Sequence, residues 1–208
     1  MSTDYWPQEK RSVLPPYRGS RHSLVDAVQL AGVDRVEVST FLYVSPAEVY
    51  EFLVEFPRYA KYSKYLREVR PHGDGSPGTR YDLVFAWWKL TYTARSEVTD
   101  VDPPSRIDWR LVKDIDAEGY WQVEPVPEEA PDGTEHATRV RCVVKFDPSS
   151  VDSGLVDLPA LTSVNWLLGK VIPKIKAEAE RVVQRIATDL EGSRRDVTLQ
   201  VHETPDSV

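Results

Sequence analysis

Residues that most often carry chemistry are scarce in this chain. Its 208 residues include one cysteine, one methionine and four histidines. A single thiol, Cys142, excludes an internal disulfide and any multi-cysteine metal site. His22, His72, His136 and His202 fall in termini or loops, so no histidine is placed on a buried face. No stretch approaches the roughly 20 apolar residues that a bilayer-spanning helix needs. Met1 to Pro16 carries no apolar run of the signal-peptide kind, and the chain reads as soluble and cytoplasmic, with no stable membrane insertion. An excess of basic charge is missing too. The 26 Lys and Arg against 33 Asp and Glu give a net charge of −7. That argues against a nucleic-acid partner, which needs a clustered basic face.

Alternating apolar patterning is what the chain does have. Hydrophobic residues make up 41% of it, enough for a globular core. Arg35 to Val44 alternates, with Val36, Val38, Thr40, Leu42 and Val44 on one face, and reads as a strand with one side buried. Ser45-Pro46-Ala47-Glu48 then has the form of a capping box with proline at the first helical position. Val49, Phe52, Leu53 and Phe56 follow at helical spacing until Pro57 ends the run. A second short helix holds Tyr59, Tyr62 and Leu66 on one side. From Leu66 to Phe146 every segment reads as strand or turn, with strands near 67–71, 81–88, 90–101, 106–112, 119–123 and 138–146. The helical period returns from Leu161 to Leu190, where Asn165, Leu168, Ile172, Ile175, Val182 and Ile186 lie on one stripe.

The expected architecture is therefore α+β: a curved seven-stranded antiparallel sheet wrapped around a long C-terminal helix, with two short helices after strand one. Only that helix is large enough to cover the sheet's apolar face. Residues 1–33 read as an extension, partly flexible, with the spacing of a short helix over 20–31. Residues 34–190 form the domain. Residues 191–208 read as a mostly flexible tail, although Val197, Leu199 and Val201 alternate briefly.

His72-Gly73-Asp74-Gly75-Ser76-Pro77-Gly78-Thr79-Arg80 is the most distinctive stretch. Its glycines admit positive φ and its proline fixes a turn. It lacks the Gly-Lys-Ser/Thr ending of a phosphate-binding loop. This loop, the element order, the Val38-to-Pro46 segment and the terminal helix together resemble the START-like superfamily called SRPBCC. Its members include the birch pollen allergen, polyketide cyclase, lipid-transfer START and coenzyme Q-binding protein families. The resemblance covers about residues 34–190. It implies a helix-grip fold and a cavity between sheet and helix.

That resemblance also implies inward faces. Leu83, Phe85 and Trp87 would line the cavity from the strand after the glycine loop. Tyr92, Trp109, Leu111, Trp121, Val140 and Cys142 would line it from later strands, and Asn165, Leu168, Ile172 and Ile175 from the helix. An ordinary filled core produces the same alternation, and Cys142 taken alone is a small core residue. No Ser-His-Asp set, metal cluster or nucleotide motif can be assembled, so neither a catalytic residue nor a cofactor is assigned. Asp82, Asp108, Asp114 and Asp116 are expected on solvated faces or in a turn. The leading expectation is a protein that holds a hydrophobic small molecule such as a lipid, isoprenoid quinone or polyketide. A cyclase- or dehydratase-like enzyme in the same cavity and a partner-binding module with a filled core are the alternatives. The sequence leaves the oligomeric state open.

Overall fold

The computed structural model describes residues 33–87, 90–150 and 164–204, with side chains over 33–86, 91–150 and 177–204. The expectations for residues 1–32 lie outside the described residues. Gly32–Val208 is one compact unit.

Its first strand, β1 (Asp34–Leu42), runs into helix α1 (Pro46–Val54). The capping box expected there is present. The Ser45 hydroxyl accepts from the Glu48 amide at 3.3 Å, and the Glu48 carboxylate accepts from the Ser45 amide at 3.0 Å. Val49, Tyr50, Phe52 and Leu53 face inward from α1. A 3-10 helix, Phe56–Lys61, follows. The Phe52 ring meets Tyr62 edge-on at 5.5 Å, and Phe56 meets Tyr81 at 4.6 Å, so aromatic contacts close one end of the core.

Six strands then form a meander: β2 (Leu66–His72), β3 (Arg80–Trp87), β4 (Leu90–Asp102), β5 (Arg106–Leu111), β6 (Ala117–Pro125) and β7 (Thr138–Phe146). Each strand pairs antiparallel with the next. The glycine loop joins β2 to β3 with Gly75 and Gly78 at φ near +96° and +95°, values that non-glycine residues rarely adopt. Thr79 Oγ1 accepts from the Gly75 amide, and the Gly78 amide donates to the Val98 carbonyl at 2.8 Å. The loop's polar groups are spent on the turn and on β4, in keeping with a structural role.

Helix α2 (Val164–Glu191) runs without interruption through Pro173. Ala187 is fully buried, and Val182, Ile186 and Leu190 pack on the same core. Glu178, 4% exposed, reaches sideways from α2 and accepts from the Lys64 amide at 3.1 Å. The Arg185 guanidinium donates to the Tyr62 carbonyl. These bonds fasten the helix to the segment that leads into β2.

The strand count is a correction. Residues past Gly192, expected to form a mostly flexible tail, add β8 (Gln200–Glu203) beside β1, so the sheet has eight strands in the order β2-β3-β4-β5-β6-β7-β1-β8. Side chains from distant segments direct this docking. Gln184 on α2 bonds the Arg195 carbonyl through its nitrogen and the Val197 amide through its oxygen. Arg195 donates to Glu191 and to the Phe41 carbonyl, and its guanidinium lies 4.0 Å from the Tyr43 ring centre. Thr40 donates to the Thr198 carbonyl, and Ser39 bonds His202 at 2.7 Å. Capping the β1 edge in this way removes a row of unpaired backbone groups.

Candidate ligand-binding site

Register decides which side chains share a face. Directly opposed residues in an antiparallel pair point the same way. Tyr81 opposes Ser96, Leu83 opposes Ala94 and Phe85 opposes Tyr92. Val98 opposes Trp109, and Ser96 opposes Leu111. Ile107 opposes Trp121, and Trp121 opposes Cys142. Val140 opposes both Val123 and Thr40. Tyr81, Val98, Ile107, Val123 and Val140 belong to the buried core, so this is the inward face. Leu83, Phe85, Tyr92, Trp109, Leu111, Trp121, Val140 and Cys142 thus share the face that carries these core residues. Phe85 departs in degree: it keeps the parity yet is 36% exposed. Trp87 lies in β3, and Asn165, Leu168, Ile172 and Ile175 lie in α2. Their side chains are outside the described set.

The inward face is apolar with a few polar atoms set into it. Burial alone pushes the Cys142 thiol up to about 12, so it stays neutral and is a poor nucleophile. Burial likewise holds the Tyr59 phenol well above its usual range, and its hydroxyl donates to the Leu53 carbonyl at 2.6 Å. Tyr92 Oη and Trp109 Nε1 are different: both are buried with no hydrogen-bond partner among the described residues. Gly119 stands opposite Trp109 across the β5–β6 ladder. A Cβ there would sit 2.5 Å from the Trp109 ring, so the glycine makes room for the indole. An isolated glycine in a strand next to an aromatic-rich strand was a signal the sequence offered.

Ion pairs gather on the outward face of the sheet. The Asp82 carboxylate is gripped by Arg95 at 2.6 Å and touched by His72 at 2.9 Å. Glu97 lies between Arg80 and Arg110, and Glu37 between Arg35 and Arg141. Asp82 corrects the expectation of a solvated face. It points outward but is only 8% exposed, because its cross-strand neighbour Arg95 folds over it. The hydrogen bond from Arg95 lowers its pKa from 3.8 to about 2.

A stability test follows. The folded pKa lies below the unfolded one, so this group stabilises the protein above about pH 4, and its contribution disappears as pH falls through 2. With Arg95 partly in solvent, the effect is about 1–2 kcal/mol. Asp82→Asn should therefore melt lower than wild type at pH 6, with the gap closing towards pH 2. Equal gaps at both pH values would assign the loss to packing.

Ser39 and His202 have the spacing of a nucleophile and its base. Ser39 is 2% exposed, and its hydroxyl lies on the outward face against Gln200 and His202 of the neighbouring β8, so no substrate carbonyl on the inward face reaches it. The pair anchors the tail. A cavity of about 750 Å³ opens elsewhere, between Lys61, Tyr62 and the α2 residues Arg181, Gln184, Arg185 and Asp189. A second, of about 320 Å³, lies mostly on the outward face around Arg106, Asp108, Arg110 and Tyr120. Their polar, charged linings differ from the apolar inward wall. Trp109 alone among the expected cavity residues contributes to either one.

An open antiparallel sheet holding one long C-terminal helix, with an apolar inward face, defines a helix-grip protein of the SRPBCC, START-like class. The chain belongs to the polyketide cyclase / dehydrase and lipid transport family, whose model matches residues 34–191. Solved structures share the fold. The Zhui aromatase/cyclase from Streptomyces sp. R1128 is 16% identical with a TM-score of 0.59, covering 76% of this chain and 94% of that one. TTHA0849 from Thermus thermophilus is 17% identical with a TM-score of 0.55, covering 76% and 97%. Ara h 8.0201 is 17% identical with a TM-score of 0.51, covering 78% and 100%. Comparison with curated protein sequences gives no match. Among the described residues no helix is long and apolar enough to cross a membrane.

Proposed function

We propose that this protein binds a hydrophobic small molecule between the inward face of its sheet and the N-terminal half of α2. The observation that carries the reading is the wall itself. Leu83, Tyr92, Trp109, Leu111, Trp121 and Cys142 share one face of the sheet. Apolar walls with a few placed polar atoms are what small-molecule sites are made of, and the family's description includes lipid transport. Trp87, Asn165, Leu168, Ile172 and Ile175 are proposed to complete the enclosure. The same chamber could serve a cyclase, as the name of one structural neighbour suggests. A neutral thiol and neutral phenols on the described wall supply no general base at pH 7, which favours carriage of the ligand over its conversion.

Native mass spectrometry of protein purified from its own host tests this. A co-purifying lipophile at one per chain is expected. Trp121→Ala should weaken retention at least about tenfold, the outcome of removing a large apolar contact. Arg80→Ala on the outward face should leave it unchanged. Absence of any bound lipophile and of any saturable binding would overturn the proposal. A ligand consumed in the presence of the protein would replace it with the cyclase reading.

A further inference from the structure

Two atoms of the inward wall are unexplained by the fold. Trp109 Nε1 and Tyr92 Oη are buried without a hydrogen-bond partner among the described residues. Folded proteins pair nearly all such atoms, and an exception calls for a missing partner. An indole N–H can only donate, so its partner must be an acceptor; a phenol can donate or accept. Both side chains are on the face that looks towards α2, since Trp109 opposes the core residue Val98 and Tyr92 opposes Phe85 on the Leu83 face.

Charge narrows the partner further. Charged residues of these strands alternate to the other side, where Asp82 pairs with Arg95 and Glu97 with Arg80 and Arg110. The Asp114 carboxylate near Tyr92 is paired with Lys113 at 3.2 Å, and it adds only after burial to what holds the Tyr92 phenol above its usual pKa. An anionic ligand head placed here would be desolvated on a face from which the described charged side chains of these strands point away, which is costly.

We infer that Trp109 Nε1–H donates to a carbonyl-type oxygen of a neutral apolar ligand, with Tyr92 Oη as a second contact, and that these bonds select which ligands the chamber retains. The inference rests on the proposed function above and adds a chemical class and the residues that read it. A fatty carboxylate or a phosphate ester fits the wall less well than a neutral ketone, quinone or ester of similar size.

Three matched probes separate the possibilities: 2-acetylnaphthalene, a neutral ketone; 2-ethylnaphthalene, of similar shape without the oxygen; and 2-naphthoate, an anion. Binding to the full chain is measured by calorimetry, and the Trp109 indole N–H resonance is followed by NMR. The ketone should bind about tenfold tighter than the hydrocarbon, equivalent to about 1.4 kcal/mol. Trp109→Phe keeps an aromatic wall and should erase that preference, weakening the ketone more than 2-ethylnaphthalene. Tyr92→Phe should reduce the preference by a smaller factor. The indole resonance should move with the ketone and stay still with the hydrocarbon. Melting curves for both variants establish that they fold, and the NMR shift reads the bond in the unmutated protein. Equal binding of ketone and hydrocarbon, or equal losses for both in Trp109→Phe, would overturn the inference while leaving a ligand chamber in place. Tightest binding by 2-naphthoate would overturn it in favour of an anionic ligand. Failure of all three probes to bind saturably would overturn the chamber itself.

Discussion

Ending the chain after Arg194 should lower the melting temperature by about 6–12 °C. The loss removes β8 from the β1 edge and strips the Phe41 carbonyl, the Thr40 hydroxyl and the two ends of the Gln184 amide of their partners. It also takes Arg195 from Glu191, whose carboxylate side chain is nearly enclosed at 5% exposure. Several lost hydrogen bonds at about 0.5–1.5 kcal/mol each, one of them to a charged group, sum to roughly 3 kcal/mol. For a domain of this size each kcal/mol moves the midpoint by about 2–4 °C. The exposed β1 edge should in addition make the truncated protein self-associate. A melt within about 2 °C of full length, less than the shift expected from a single kcal/mol, with a monomeric profile at high concentration, would show that the tail is decorative.

Gly119→Ala should be the most damaging single methyl addition in the sheet. The new carbon would press on the Trp109 ring from 2.5 Å and more closely still on the backbone oxygen of Val143. A backbone oxygen in a ladder cannot move aside without breaking strand pairing. Overpacking of this kind costs about 1–3 kcal/mol, a fall of roughly 2–12 °C in the melting midpoint. Combining it with Trp109→Leu should restore only part of the loss, because the Val143 clash remains. Full recovery in the double variant would place all the strain on the indole. A Gly119→Ala protein that melts like wild type would show that β6 shifts freely.

Much of this structure was legible because its signals are local. The capping box at Ser45 and Glu48, the glycine turn and the two-residue alternation of β3 to β7 each depend on neighbours in sequence. Thr138–Phe146 is read from alternation with the same limits the structure gives it. β8 was not legible, for a physical reason. All four of its residues are exposed, so it carries no buried face to announce it. Its place is fixed by Gln184, Ser39 and Thr40, partners up to 163 positions away. Asp82 was misjudged for a related reason: alternation gives the face, but only register brings Arg95 over it. The inward faces of the candidate site followed from alternation combined with the family resemblance. That two of its polar atoms lack partners among the described residues is a property of packing and has no trace in the sequence.

The position of β1 has a consequence for the order in which the molecule is made. Val38 pairs with Cys142 on one side and with Val201 on the other. β1 therefore leaves the ribosome long before either of its neighbours. At about 5–20 residues per second the wait for β8 is roughly 10–30 s. For most of that time β1 has no partner on either edge, while β2 to β6 can form their hairpins locally as they emerge. Closing the sheet depends on contacts of long sequence separation, the class that forms slowly. The nascent chain thus carries an unpaired apolar strand through much of its synthesis, and the step that completes the sheet falls to the segment that follows α2.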